Sequence, residues 1–169
     1  MDWFRDLCEF HQTFDLHIGR DGPKPPPNEV KYLRLSLHSE EYGELTRAIN
    51  TVDMPGIADG IVDLAYVILG TAVSYGIDIR PIWDAVHEAN MAKVSGGKRA
   101  DGKILKPAGW HPPPVAELLA KQTPGTMESK IAMCDAYRQA SDAGYIGSEG
   151  GYRLHPDGMP DWRGEQAPE

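Results

Sequence analysis

The chain has only two cysteines, Cys8 and Cys134. They stand far apart and match no zinc spacing. So few cysteines, with no signal peptide in view, point to a reducing cytoplasm. Positive charge is also scarce, and the formal net charge is −8. Generic binding of nucleic acid or an anionic membrane needs a basic face that such a chain lacks. Strand signals are sparse and no internal repeat is visible, so the fold class expected is all-α. The most apolar run, residues 57–76, is about long enough to span a bilayer. It carries two aspartates, which argues against lipid. What remains is a soluble chain of 169 residues, long enough for a real core and suited to one domain with an extension.

Apolar residues recur at helical spacing over residues 2–17, through Trp3, Leu7, Phe10 and Phe14. A proline-rich connection follows, which forbids helix. A long helix is expected from about Glu29 to Asn50, then a turn at "DMPG" with Asp53 as cap and Pro55 in the first turn. The apolar helix runs to Tyr75, with Gly76 as its C-terminal cap. A further helix covers "DIRPIWDAVHEANMAK". Residues 94–114 read as loop with a short strand pair, and residues 115–122 as one or two helical turns. Beyond them a helix capped by Thr126 and stopped near Gly144 is expected, then a Gly/Pro-rich hairpin or tail. The domain expected is residues 1–120, with residues 121–169 an extension that nothing in the sequence assigns.

Three acids crowd "HSEEYGELTRAI": Glu40, Glu41 and Glu44. Like charges at such spacings destabilise a helix by a few tenths of a kcal/mol. On a helical wheel Val30, Leu33 and Leu37 fall within about 60° of one another. Glu40 and Glu44 fall in the same sector, with Glu41 at its edge, so the acids continue an apolar stripe. In the next helix the only charged residues from 57 to 76 are Asp59 and Asp63, spaced i, i+4. A helix so apolar is expected to be buried nearly all round. Unpaired buried carboxylates are unfavourable by several kcal/mol. A divalent cation shared by both helices would compensate all five. All-oxygen ligands of this kind suit Mg²⁺ or Mn²⁺, not zinc. The alternative is a solvated acidic face.

Lys93, Lys98, Arg99, Lys103 and Lys106 stand against one acid, Asp101, in a glycine-containing segment. Asn90 and Lys93, at i, i+3, share a helix face leading into it. Beside a carboxylate site this pattern suggests a polyphosphate ligand; by itself it would be a solvated loop. The segment is expected to order on anion binding. His87, Trp83, Tyr66 and both cysteines read more readily as packing residues than as functional ones.

The ordered segments "EEYGEL", "DGIVDLAYVILGTAVSYGID", "VHEANMAK" and "RADGKILKPAGWHPPP", with "EFHQTF" before them, resemble the all-α nucleoside triphosphate pyrophosphohydrolase superfamily. That superfamily includes MazG, dimeric dUTPases and phosphoribosyl-ATP pyrophosphohydrolase, and the likeness is nearest to its small MazG-like members. It covers about residues 3–120. The resemblance implies a helix bundle in which an E-x-x-E pair and a later E-x-x-D pair hold Mg²⁺. Glu41 and Glu44 match the first pair, with Glu40 as another partner for Glu44. Asp63 matches the last position, while Gly60 stands where the family has glutamate and Asp59 takes over one position earlier. Phosphate contacts are implied for Asn90, Lys93, Arg99, Lys103 and Lys106. The expected reaction is hydrolysis of a nucleoside triphosphate to monophosphate and pyrophosphate, with Glu40 or Glu41 directing the water. A homodimer or homotetramer is implied, without nucleic-acid or membrane partners. A non-catalytic helical interaction module with a degenerate metal site is the alternative, and the base and sugar of the substrate are not readable.

Overall fold

The computed structural model describes residues 3–123, together with Gly125 and Ala132. Among residues 3–123 five helices follow one another: α1 (Trp3–Thr13), α2 (Asn28–Thr51), α3 (Met54–Ser74), α4 (Arg80–Met91) and α5 (Val115–Ala120). Among the described residues the only β-type pairing is an isolated antiparallel bridge between Lys98 and Ile104. The all-α expectation holds, and the short strand pair reduces to that bridge. Of the helix expected from Thr126 to Gly144 only Ala132 is described, in helical conformation, and the segment after it and Cys134 lie outside the described residues.

The turn between α2 and α3 is set by local chemistry. Val52 adopts φ 56°, a left-handed conformation that ends α2. Asp53 then caps α3, its carboxylate accepting from the Gly56 N–H at 3.2 Å, with Pro55 in the first turn. So short a connection folds α3 back along α2, and this is the most extensive packing in the chain. The register is fixed by three close approaches. A Cβ on Gly56 would meet the Ala48 side chain at 3.2 Å, one on Gly60 would meet Leu45, and one on Gly70 would meet Arg34. These pairings run in opposite directions along the two helices, so they are antiparallel.

The core lies where α1 crosses the C-terminal half of α3. Phe4, Leu7 and Cys8 are buried against Ala72 and Val73, with Ile18, Tyr66 and Leu69 packed around them. Phe10 meets Tyr66 edge-on, with ring centroids 5.3 Å apart. Gly76 follows the α3 C-cap at φ 68°, where a Cβ would strike the Gly19 carbonyl at 2.2 Å, so the loop after α1 closes directly onto the end of α3. The start of α4 is tied in by Arg80, whose guanidinium lies over the Phe4 ring and pairs with the buried Asp78. Gln122 closes the described chain onto the same point, accepting from the Asp78 N–H and donating to its carbonyl.

One expectation fails in the isolated chain. α3 is not buried all round: Ile61, Val62 and Ile68 are more than half exposed. The reason is geometric. α1 and α2 cover only two sides of α3, and the stripe 58, 61, 62, 65, 68 is turned away from both. By length and composition α3 is also the one helix among the described residues able to cross a membrane. Leu33, placed on the acid-bearing stripe of α2, is likewise more than half exposed, and Trp83 is exposed instead of packed.

Candidate active site

The antiparallel register decides what the acids face. Between the Leu45–Gly60 and Arg34–Gly70 contacts, Glu41 on α2 falls level with Asp63 on α3. Glu44 lies one turn further along, beside Gly60, with Asp59 on the next turn of α3. A cleft of about 220 Å³ opens here, lined among others by Glu44, Asp59, Asp63, Arg47 and Gly60. Glu40 and Glu41 do not line it. They belong to the same field nevertheless. The Glu41 carboxyl is raised above its ordinary value by loss of solvent, and then by the charges of Asp63, Glu44, Glu40 and Asp59. The other four acids singled out in the sequence thus all bear on Glu41, Asp59 and Asp63 from across the α2–α3 seam.

Gly60 has a packing cause. A Cβ there would stand 3.1 Å from both Cα and Cβ of Leu45. A side chain at this position would require Leu45 to give by a few tenths of an ångström, whereas Asp59, at the neighbouring position, lines the cleft. Among the described residues, none of the five acids is ion-paired, and Arg47 is the only cation lining the cleft. No three His, Cys, Asp or Glu side chains among the described residues close on one point as a finished coordination shell. The donor set nevertheless fits a hard divalent cation. Its ligands are all oxygen, negatively charged and mutually repelling, and a cation of this type relieves that repulsion.

The basic segment forms a small hairpin around Asp101. Arg99 is held by Asp101 through a two-pronged ion pair, with Nε–Oδ1 at 2.9 Å. The Lys103 N–H also donates to Asp101, and backbone bonds Arg99–Lys103 and Leu105–Gly97 close a small hairpin. Lys93 and Lys106 stand apart from it. Their ammonium groups lie over the Trp110 ring at 5.3 and 4.1 Å from its centroid. Asn90 accepts from Lys93 at 2.6 Å, as their shared helix face required. Among the described residues α4 packs on α5 and has no comparable packing on α2 or α3.

Sequence reasoning missed two features. Trp110 is one, and its signal was a single aromatic among spaced lysines. The other is a polar junction two turns from the acids. Arg34 is 8% exposed; its guanidinium donates to the Val67 carbonyl and to Thr71 Oγ1. The same hydroxyl shares a 2.8 Å bond with His38 Nε2. His11 lies beside them, donating from Nδ1 to the His17 carbonyl at 2.9 Å. Gly70 leaves the space that Arg34 fills: a Cβ there would be 2.6 Å from the guanidinium. An arginine set between Val30 and Leu37 was the available signal. His87 is exposed, while Cys8 is fully buried as expected.

A family model described as phosphoribosyl-ATP pyrophosphohydrolase matches residues 7–90. We found no match among curated proteins. The matched region runs from α1 to the end of α4, and so contains the acid-bearing helix pair and Asn90. Members of this group are pyrophosphohydrolases, hydrolases of phosphoric anhydrides that generally depend on a divalent metal. Residues 7–90 of this chain thus match the phosphoribosyl-ATP pyrophosphohydrolase family, which belongs to the MazG-like all-α nucleoside triphosphate pyrophosphohydrolase superfamily.

Proposed function

We propose that the chain is a Mg²⁺-dependent nucleoside triphosphate pyrophosphohydrolase that cleaves between the α and β phosphates. The observation that carries this reading is the cleft at the α2–α3 seam lined by the unpaired Glu44, Asp59 and Asp63, with Glu40 and Glu41 adjoining them on α2. Glu40, Glu41, Glu44, Asp59 and Asp63 would hold Mg²⁺, and Mn²⁺ suits the same donors. The bound ion would neutralise triphosphate charge and make an attacking water more acidic. Glu40 or Glu41, which do not line the cleft with the other three, orients that water and takes its proton. The water oxygen bonds to the α phosphorus as the bridging oxygen departs with pyrophosphate. Asn90, Lys93, Arg99, Lys103 and Lys106 contact the phosphates and offset charge on the leaving group.

In this reading residues 1–120 form the catalytic domain, residues 121–169 an extension, and the protein acts in the cytoplasm without nucleic-acid or membrane partners. The exposed apolar stripe of α3 supports a homodimer or homotetramer. A non-catalytic module would draw its support from Gly60, but the contact with Leu45 accounts for that glycine by packing.

The products decide. With Mg²⁺ and a nucleotide panel, chromatography should show a nucleoside monophosphate and pyrophosphate from at least one triphosphate. Diphosphate and orthophosphate instead would refute α–β cleavage. Glu44→Gln and Asp63→Asn should each abolish most turnover while leaving the fold intact, since each removes an anion that is unfavourable without metal. Near wild-type turnover in either variant at saturating Mg²⁺ would show that the site is misplaced.

A further inference from the structure

Lys93 and Lys106 differ from the other basic side chains of their segment. Arg99 is neutralised by Asp101. Lys93 has a neutral partner, the Asn90 amide oxygen, and among the described residues neither lysine forms an ion pair. Thirteen residues apart in sequence, the two ammonium groups nevertheless share one aromatic ring. No carboxylate among the described residues neutralises either ammonium, and each instead lies within 5.3 Å of the Trp110 ring centroid. The Trp110 ring is placed to hold them. Its Nε1–H donates to the Ala89 carbonyl at 2.7 Å, which anchors the indole to the C-terminal part of α4. The Trp110 N–H also bonds the Pro107 carbonyl, closing a turn next to Lys106. The electron-rich face of an indole attracts ammonium groups.

We infer that Trp110 is a positioning residue that fixes Lys93 and Lys106 as a paired cation site for one polyphosphate chain. This deepens the phosphate-binding reading of the segment and rests on it. It also divides that segment. Lys93 and Lys106 with Asn90 form a preset anion site, whereas Arg99 and Lys103 sit on a hairpin organised by Asp101. The ring does not contact the reacting atoms. Its role is to keep two flexible side chains from dispersing into solvent, so that less ordering is left to be done when the anion arrives.

The probe is inorganic tripolyphosphate with Mg²⁺, its Kd measured by calorimetry on the full chain. Lys93→Met and Lys106→Met should each weaken binding about tenfold. Trp110→Phe keeps a ring but loses the Nε1–H bond to the Ala89 carbonyl, so it should weaken binding by an intermediate amount, whereas Trp110→Leu should weaken it about tenfold. In the Lys93→Met, Lys106→Met background Trp110→Leu should have little further effect. Nonsense suppression with mono-, di- and trifluorotryptophan at position 110 preserves shape and hydrogen bonding, so it is informative even if the leucine variant does not fold. Kd should rise stepwise with fluorination. If the lysine variants bind like wild type, or wild type does not bind, the phosphate reading itself fails. If they bind weakly while the fluorinated series is flat, the lysines bind phosphate but Trp110 does not position them.

Discussion

Gly60 faces Leu45 with little room for a side chain between them: a Cβ built on the glycine would lie 3.1 Å from the Leu45 Cα. This contact draws α2 and α3 together at the level of Glu44, and it explains why the carboxylate at this turn comes from Asp59. Gly60→Glu would restore the residue that the family pattern carries. It should nonetheless destabilise the protein by about 1–3 kcal/mol, the usual range for overpacking a tight contact, and should lower turnover because the helices separate at the metal site. Melting temperature and kcat, measured together, check this. A variant as stable as wild type and more active would show that the seam has room and that the glycine has another cause.

The polar junction gives the protein a pH dependence. Burial pushes the His11 imidazole below its ordinary value, against the raising effect of the His17 carbonyl, and the Arg34 charge lowers it further. The unfolded chain therefore takes up a proton at a higher pH than the folded one. Stability is fully present above the unfolded value near 6.5 and is lost as pH falls from there toward the lower folded value, at no more than about 1.4 kcal/mol per pH unit for one proton. Glu41 works in the opposite sense. Its raised carboxyl favours folding when protonated, so that contribution fades as pH rises through the carboxylate range. In metal-free protein the melting temperature should drop between pH 7 and pH 5.5, and His11→Gln should flatten the drop. An unchanged slope in that variant would assign the acid lability elsewhere.

How much of this was legible in the sequence depends on what each feature rests upon. The α2–α3 turn was readable because Asp53 and Pro55 act locally. The five acids were readable because a 3.6-residue period places them on a stripe, and an aspartate pair in an apolar helix needs a reason. The burial of α3 was misjudged. Periodicity shows that a helix has apolar residues all round, but not whether the covering atoms belong to the same chain. The roles of Arg34 and Trp110 were hidden because each depends on long-range partners, Val67 and Thr71 for one and Ala89 and Lys93 for the other.

The uncovered face of α3 leads to a prediction about assembly. Ile61, Val62 and Ile68 on α3, with Leu35, Tyr42 and Ile49 on α2, are all more than half exposed in the single chain. Burying one such side chain is worth about 1.5–3 kcal/mol, so a second copy that covers several gains enough to associate at micromolar concentration. Light scattering should give a dimer or tetramer of the 18.6 kDa chain. Ile68→Asp should shift it toward monomer and lower the melting temperature with a dependence on protein concentration. A wild-type protein that stays monomeric at tens of micromolar would remove the assembly from the proposal.

Arg99 poses the sharpest question in the basic segment, because its guanidinium already has a carboxylate. The pair with Asp101 is solvent-exposed on both sides, 55% and 56%. Exposed pairs contribute about 1 kcal/mol or less, whereas a charge-assisted bond to phosphate is worth roughly 1.5–3 kcal/mol. A triphosphate arriving at the hairpin therefore competes on favourable terms for the guanidinium. Arg99→Ala should raise KM, or lower kcat/KM, about tenfold or more, while the melting temperature of the free protein hardly moves. Asp101→Asn offers the complementary measurement: it frees Arg99 and should leave KM unchanged or lower it, at the expense of some order in the hairpin. If Arg99→Ala and Asp101→Asn both lower the melting temperature and leave kcat/KM at its wild-type value, the ion pair is there to fold the hairpin, and phosphate binding falls to Lys93 and Lys106 alone.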